Sequence, residues 1–280
     1  MIMRPPTLQR ARVNGADLEF DVTGKGEAVL LISPVLADGF LPLLTEPALA
    51  GSYRLITYHK RGWGGSTHTP GPVSIADHAA DAAGLLDHLG ARHAHVVGHS
   101  SGAAIAVQLA LMHPGIVRTL ALLELSLLSV PGAARLLEKA APAFEAYAAG
   151  HHDRAVALFL SAVSGLDWDT CRTLLDSRVP GAVTGAIEDA DTLFGSELPA
   201  LSAWTFGPDE AGAVSRPVLS VLGTETEPLW TEIAACLRLW LAQVEECRIE
   251  GAGHLLHVQQ PEAVAQGLAG FFARHPINAG

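Results

Sequence analysis

Basic residues are scarce in this sequence: 18 lysines and arginines stand against 29 acidic residues, a formal charge of -11. No Lys/Arg cluster is longer than Lys60-Arg61, so the chain lacks an electrostatic footprint for phosphate backbones, and nucleic acid is not an expected partner. Cysteine is nearly absent. Cys171, Cys236 and Cys247 form no CxxC pair and leave an odd thiol, which fits a reducing compartment and gives no zinc signature. His151-His152 with Asp153 has no third spaced ligand, so neither a metal site nor a cofactor is expected. Long hydrophobic runs are missing too: the stretch 120–130 is too short for a bilayer and is broken by Glu124. Residues 1–15 carry Arg4, Arg10 and Arg12 without an apolar run, unlike a secretory signal. The expectation is a cytoplasmic monomer or homodimer that does not engage membranes.

What is present is a core. Hydrophobic residues make up 49% of the 280, and the mean hydropathy is +0.28, far from the composition of a disordered chain. The length suits one domain with an insertion better than two domains.

Short β-rich runs at 10–13, 18–22, 28–32 and 54–58 are separated by Gly- or Pro-bearing turns. Ser74 reads as the N-cap of a helix over 75–89 that ends at Gly90. A brief apolar strand at 94–97 precedes an apolar helix at 101–113 stopped by Pro114, and 120–123 is again fully apolar. Such strands alternating with helices predict a mostly parallel sheet covered on both faces. From about Leu127 to Ala213 no convincing strand occurs, only Ala- and Leu-rich helical pattern. The strand-helix rhythm then returns at 217–222, 232–241, 244–249 and 261–274. The predicted organisation is an α/β core at 1–126 and 213–280, interrupted by a helical cap at 127–212.

Gly98-His99-Ser100-Ser101-Gly102 is a G-x-S-x-G motif between an apolar strand and a helix. A sharp turn there exposes the Ser100 hydroxyl, and the helix N-terminus behind it favours negative charge. Gly251-Ala252-Gly253-His254 follows the last strand, placing an imidazole at a strand's carboxyl end, where an open α/β sheet builds its site. On these residues the chain resembles the α/β-hydrolase superfamily over nearly its whole length. Residues 58–66, Tyr-His-Lys-Arg-Gly-Trp-Gly-Gly-Ser, are similar to that family's D-x-R-G-x-G-x-S turn, with His59 in place of the aspartate. The family's His-Gly oxyanion loop reads Ser33-Pro34 here. Since proline has no N–H to donate, the resemblance points to the Val35 and Ser101 amides as the oxyanion donors.

The resemblance implies a triad of Ser100, His254 and a carboxylate, and two carboxylates compete. The family's acid position in the loop after strand 218–222 is Thr226, which cannot serve; Glu225 and Glu227 flank it, and Glu225 is the candidate there. The alternative, favoured here, is Glu124, 24 residues after Ser100. A glutamate there is similar to the lactone-cleaving subgroup that includes zearalenone hydrolase, and a carboxylate in so apolar a run needs a partner such as His254. The implied activity is cofactor-free serine hydrolysis of a small, hydrophobic, uncharged carboxylic ester or lactone. Trp63, Trp168 and Trp204 are candidate pocket residues. Acyl transfer or carbon-carbon hydrolysis on the same triad, and a ligand-binding receptor on a hydrolase scaffold, are the competing readings.

Overall fold

The computed structural model describes residues 8–69 and 71–277; the expectations for residues 1–7 and 278–280 fall outside them. Eight strands form one sheet: β1 (Gln9–Val13), β2 (Ala16–Gly24), β3 (Glu27–Ile32), β4 (Tyr53–Tyr58), β5 (Ala94–His99), β6 (Val117–Leu123), β7 (Val218–Gly223) and β8 (Val244–Ile249). Their spatial order is β1-β2-β4-β3-β5-β6-β7-β8. β2 runs antiparallel to β1 and β4, and every other pairing is parallel. The central strands read as unbroken apolar runs because helices cover both of their faces: β5 and β7 are buried at every position, and β3 at all but its first.

Local chemistry sets the helix ends. α1 (Ile75–His88) opens on Ser74, whose hydroxyl accepts from the Asp77 N–H while the Asp77 carboxylate accepts from the Ser74 N–H; a capping interaction of this kind contributes about 1 kcal/mol. α2 (Ser101–Met112) is buried almost all round, and its run of Gly and Ala lets it press against the sheet.

Between β6 and β7 the described residues hold helices and no strand. α3 (Ala133–Ala148), α4 (His152–Ser164), α5 (Trp168–Arg178) and α6 (Ala182–Glu188) lead into a single π-helical turn, Leu193–Glu197, and a short helix, Leu198–Ala203. α7 (Pro228–Trp240) and α8 (Pro261–Arg274) return to the core. The helical segment is seated by an apolar cluster in which Phe159, Val163 and Leu193 meet Val35, Leu36, Trp63, Leu255 and Val258. Those five lie in or just beyond the loops at the carboxyl ends of β3, β4 and β8, so the segment covers the carboxyl end of the sheet. Each large apolar side chain buried there contributes about 1.5–3 kcal/mol of transfer free energy.

No helix of the described residues is long and apolar enough to cross a membrane.

Candidate active site

The site begins with a strained turn. Ser100 links β5 to α2 at φ 54° and ψ -119°, a conformation that costs a non-glycine residue on the order of 1–3 kcal/mol. Two bonds to β6 and the loop that follows it hold it there: the Ser100 N–H donates to the Leu123 carbonyl (3.0 Å), and the Ser126 N–H donates to the Ser100 carbonyl (3.2 Å). Both motif glycines are required by close approach. A Cβ on Gly98 would lie 2.3 Å from the Gly102 oxygen, and one on Gly102 would lie 2.1 Å from the Ile32 oxygen. This contact brings the start of α2 against the end of β3, and so Ser101 towards Val35.

His254 and Glu124 complete a hydrogen-bonded chain. His254 Nε2 lies 3.1 Å from Ser100 Oγ, and its Nδ1 lies 2.8 Å from Glu124 Oε2. The carboxylate at Nδ1 fixes the proton on that nitrogen, leaving Nε2 free to accept from the serine hydroxyl. Glu124 is itself held: Gly223 N–H donates to Oε1 and Thr226 Oγ1 donates to Oε2, each at 2.9 Å. Its backbone is also unusual, at φ 43°. Glu225 lies exposed on the loop, with its amide bonded to the Ala252 carbonyl, and Glu227 pairs with Lys139 at 2.8 Å.

Three further residues shape the chain without a signal in the sequence. Trp230 stacks on the His254 ring at 4.0 Å and 7°, a geometry in which an indole face favours a cationic ring. Ser126 Oγ sits 3.0 Å from Ser100 Oγ. His99 Nε2 donates to the His254 carbonyl at 2.8 Å, holding the histidine loop against β5. Thr226, unfit to be an acid, instead positions one, and its place in the loop after β7 was the only hint available.

Ser100 and Ser126 open onto a cavity of about 250 Å³ that Val35 and Ser101 also line. Its remaining wall is mostly apolar, including Phe159, Val163, Leu198, Trp230 and the α3 face that carries Leu136 and Phe144, with Ser202 as a further hydroxyl. None of the lining side chains is charged. Leu137 and Phe144 are 43% and 37% exposed, which leaves apolar surface at the mouth. The three candidate tryptophans do not line this cavity, a correction to the sequence reading. The Trp63 indole N–H is spent on the Glu197 carboxylate (2.6 Å), Trp204 stacks on Phe206 and donates to Gln108, and Trp168 packs into the helical segment's own cluster. Trp63 and Trp204 thus sit where their indole N–H groups find acceptors.

In the turn similar to D-x-R-G-x-G-x-S, Arg61 clasps Asp81 with two bonds of 2.9 and 2.8 Å. His59 bridges Glu19 and Asp38, each at 3.1 Å. Burial opposes its charge, but the two carboxylates prevail and raise its pKa.

Other buried histidines behave oppositely. Burial, reinforced by Lys60, pushes His78 down to about 4; burial, reinforced by His254, pushes His257 down to about 3; burial, then His257 and His254, carries His99 well below its ordinary value. In the unfolded chain all three take up protons below about pH 6.5. The unfolded state then binds more protons, so this stability is complete above pH 6.5 and is lost as pH falls towards 4. His59, with a raised value, acts at higher pH instead: its contribution is complete below about pH 6.5 and is lost as pH rises through its folded value, so it does not offset the loss on the acid side. We expect urea-unfolding free energies to fall between pH 7 and 4 by up to about 1.4 kcal/mol per pH unit for each of these groups; a flat profile would contradict the neutral burial of these rings.

Among the described residues no group of three or more His, Cys, Asp or Glu is arranged to hold a metal ion. The family model described as "alpha/beta hydrolase fold" matches residues 38–261. RutD of Azorhizobium caulinodans, provisionally assigned as a carbamate hydrolase, is 38% identical over 110 residues, covering 39% of this chain and 41% of that one; this chain thus matches about two fifths of that relative's length. A thermophilic esterase from Thermogutta terrifontis superposes with a TM-score of 0.78 at 22% identity, covering 96% of this chain and 99% of the other. The enol-lactonase from Burkholderia xenovorans LB400 does so with a TM-score of 0.76 at 20% identity, covering 95% and 100%. These two likenesses speak to fold, and the family match spans well over half of the sequence: the chain belongs to the alpha/beta hydrolase fold family.

Proposed function

We propose that this protein is a serine hydrolase of small, hydrophobic, uncharged carboxylic esters or lactones. The observation that carries the reading is the unbroken chain from Ser100 Oγ through His254 to Glu124, opening on a cavity without charged lining. Ser100 attacks the acyl carbon as its proton passes to His254 Nε2, and Glu124 compensates the resulting imidazolium. The Val35 and Ser101 N–H groups receive the oxyanion. Ser101 is the first residue of α2, so its N–H has no partner within the helix and is available to substrate. Collapse of the tetrahedral intermediate expels the alkoxy oxygen, which takes the proton from His254. Water then repeats the sequence on the acyl-enzyme and returns Ser100.

Because the oxygen of the leaving group receives its proton from His254, an ester, a lactone and a carbamate would pass through the same steps. The likeness to RutD makes carbamates part of the test. The experiment is a panel of p-nitrophenyl esters of increasing acyl length, aromatic and aliphatic lactones and aryl carbamates, with mass spectrometry after fluorophosphonate treatment. Turnover of neutral apolar esters or lactones, weak turnover of charged ones, and a single adduct on Ser100 are expected, with activity unchanged by chelators. An unlabelled Ser100, or activity that chelation abolishes and a divalent ion restores, would overturn the reading.

A further inference from the structure

A buried ion pair beneath the cavity has no part in the triad. Lys60, in the turn after β4, and Glu197, the last residue of the π-helical turn, each keep only 1% of the side chain exposed, with Nζ 2.5 Å from Oε1. The same Oε1 accepts from Ser101 Oγ at 2.5 Å, while Oε2 accepts from Trp63 Nε1 at 2.6 Å. Lys60 Nζ also donates to the Pro34 carbonyl at 3.0 Å. That carbonyl and the Val35 N–H are the two ends of one peptide unit. Each of the two amides proposed to receive the oxyanion is therefore attached to one member of the pair.

Stability does not account for this arrangement. Desolvating two charges costs more than their attraction commonly returns, and well-packed apolar replacements are often neutral or stabilising. The electrostatics of acyl transfer give it a use. An ammonium bonded to the Pro34 oxygen draws electron density through that peptide and makes the Val35 N–H a stronger donor. Glu197 alone, bonded to the Ser101 side chain, would set a negative charge near the developing oxyanion; Lys60 cancels it while keeping the anchor that aims the start of α2. Lys60 comes from the sheet and Glu197 from the helical segment, so the pair is complete only when the segment is seated.

We propose that Lys60 and Glu197 are positioning residues that polarise and aim the oxyanion-binding amides, an inference that rests on the serine-hydrolase reading. The test compares wild type with Lys60→Met, Glu197→Gln and the double variant. It reads kcat and KM on a p-nitrophenyl ester, thermal unfolding, and inhibition by an aryl trifluoromethyl ketone, which adds to Ser100 as an oxyanion, against the corresponding secondary alcohol, which does not. The double variant, free of unpaired charge, is expected to unfold near the wild-type temperature and to lose about ten- to thirty-fold in kcat, a fraction of what deleting a whole oxyanion donor costs. KM should stay within about twofold, ketone affinity should fall by a factor similar to that of kcat, and alcohol affinity should hold. Lys60→Met, which leaves Glu197 uncompensated, should lose more than the double variant. Should the double variant fail to fold, Ser101→Ala removes one anchor alone and is expected to lower kcat and ketone affinity about three- to tenfold without moving KM. Wild-type kcat and ketone affinity in the double variant, or in Ser101→Ala if that variant is needed, would overturn the proposal, as would equal losses for ketone and alcohol. If wild type itself binds the ketone no better than the alcohol and Ser100 resists fluorophosphonate, the hydrolase reading falls and takes the proposal with it. A labelled wild type with an unaffected double variant removes the proposal alone.

Discussion

Replacing Ser100 or His254 by alanine is expected to lower kcat by about 10⁴- to 10⁶-fold and to leave folding intact, with the double variant scarcely worse than either single one. The size follows from interdependence. Ser100 Oγ is a poor nucleophile until His254 Nε2, 3.1 Å away, accepts its proton, and the imidazole has nothing to accept once the hydroxyl is gone. Folding should survive because the backbone bonds from Ser100 to Leu123 and from Ser126 to Ser100 do not involve the hydroxyl. The serine was never favoured at φ 54° on conformational grounds, and alanine meets the same strain. Steady-state rates and a burst of p-nitrophenol before turnover are the measurements. A Ser100→Ala protein that keeps a substantial share of activity would exclude the acyl-enzyme.

Glu124→Gln is expected to cost about 10⁴-fold in rate, and Glu225→Gln close to nothing. Glu124 accepts three hydrogen bonds, from Gly223 N–H, Thr226 Oγ1 and the His254 Nδ1 proton. A glutamine presents one oxygen and one NH₂, so whichever way it turns, a donor faces a donor. Either the Gly223 amide is left buried without an acceptor or His254 is driven to the tautomer that cannot take the Ser100 proton. Glu225 is an exposed side chain on the loop, where its charge is screened by water. The measurement is kcat/KM for both variants beside a pH titration of the His254 ring by NMR. A reversed ranking would move the acid role to Glu225 and leave the rest of the reaction unchanged.

Much of the scaffold was legible because its signals are local. Short β-rich or apolar runs separated by turns marked the strands, and Ser74 marked the start of α1, where the structure adds Asp77 as its reciprocal partner. Gly98-His99-Ser100-Ser101-Gly102 announced a tight strand-to-helix turn, because a Cβ at either glycine would strike backbone. The tryptophans resisted such reading. Composition offered Trp63, Trp168 and Trp204 for the pocket, yet Trp230 lines it. An aromatic on an amphipathic element has no sequence signature that tells a cavity wall from a core, since both are apolar.

By itself the sequence determined the order of strands and helices, the strained turn at Ser100 and the loop that bears His254, because each depends on residues within a few positions of one another. The tertiary structure decided which carboxylate meets the imidazole: His254 lies 130 positions from Glu124 along the chain, and only the adjacency of β6, β7 and β8 in the sheet closes that gap. It also decided that Lys60 and Glu197, 137 positions apart, share a buried bond. Spacing along a chain carries information only while secondary structure sets the distance between residues. Beyond that, the packing of the helical segment on the carboxyl end of the sheet determines which side chains lose water together and must therefore satisfy one another.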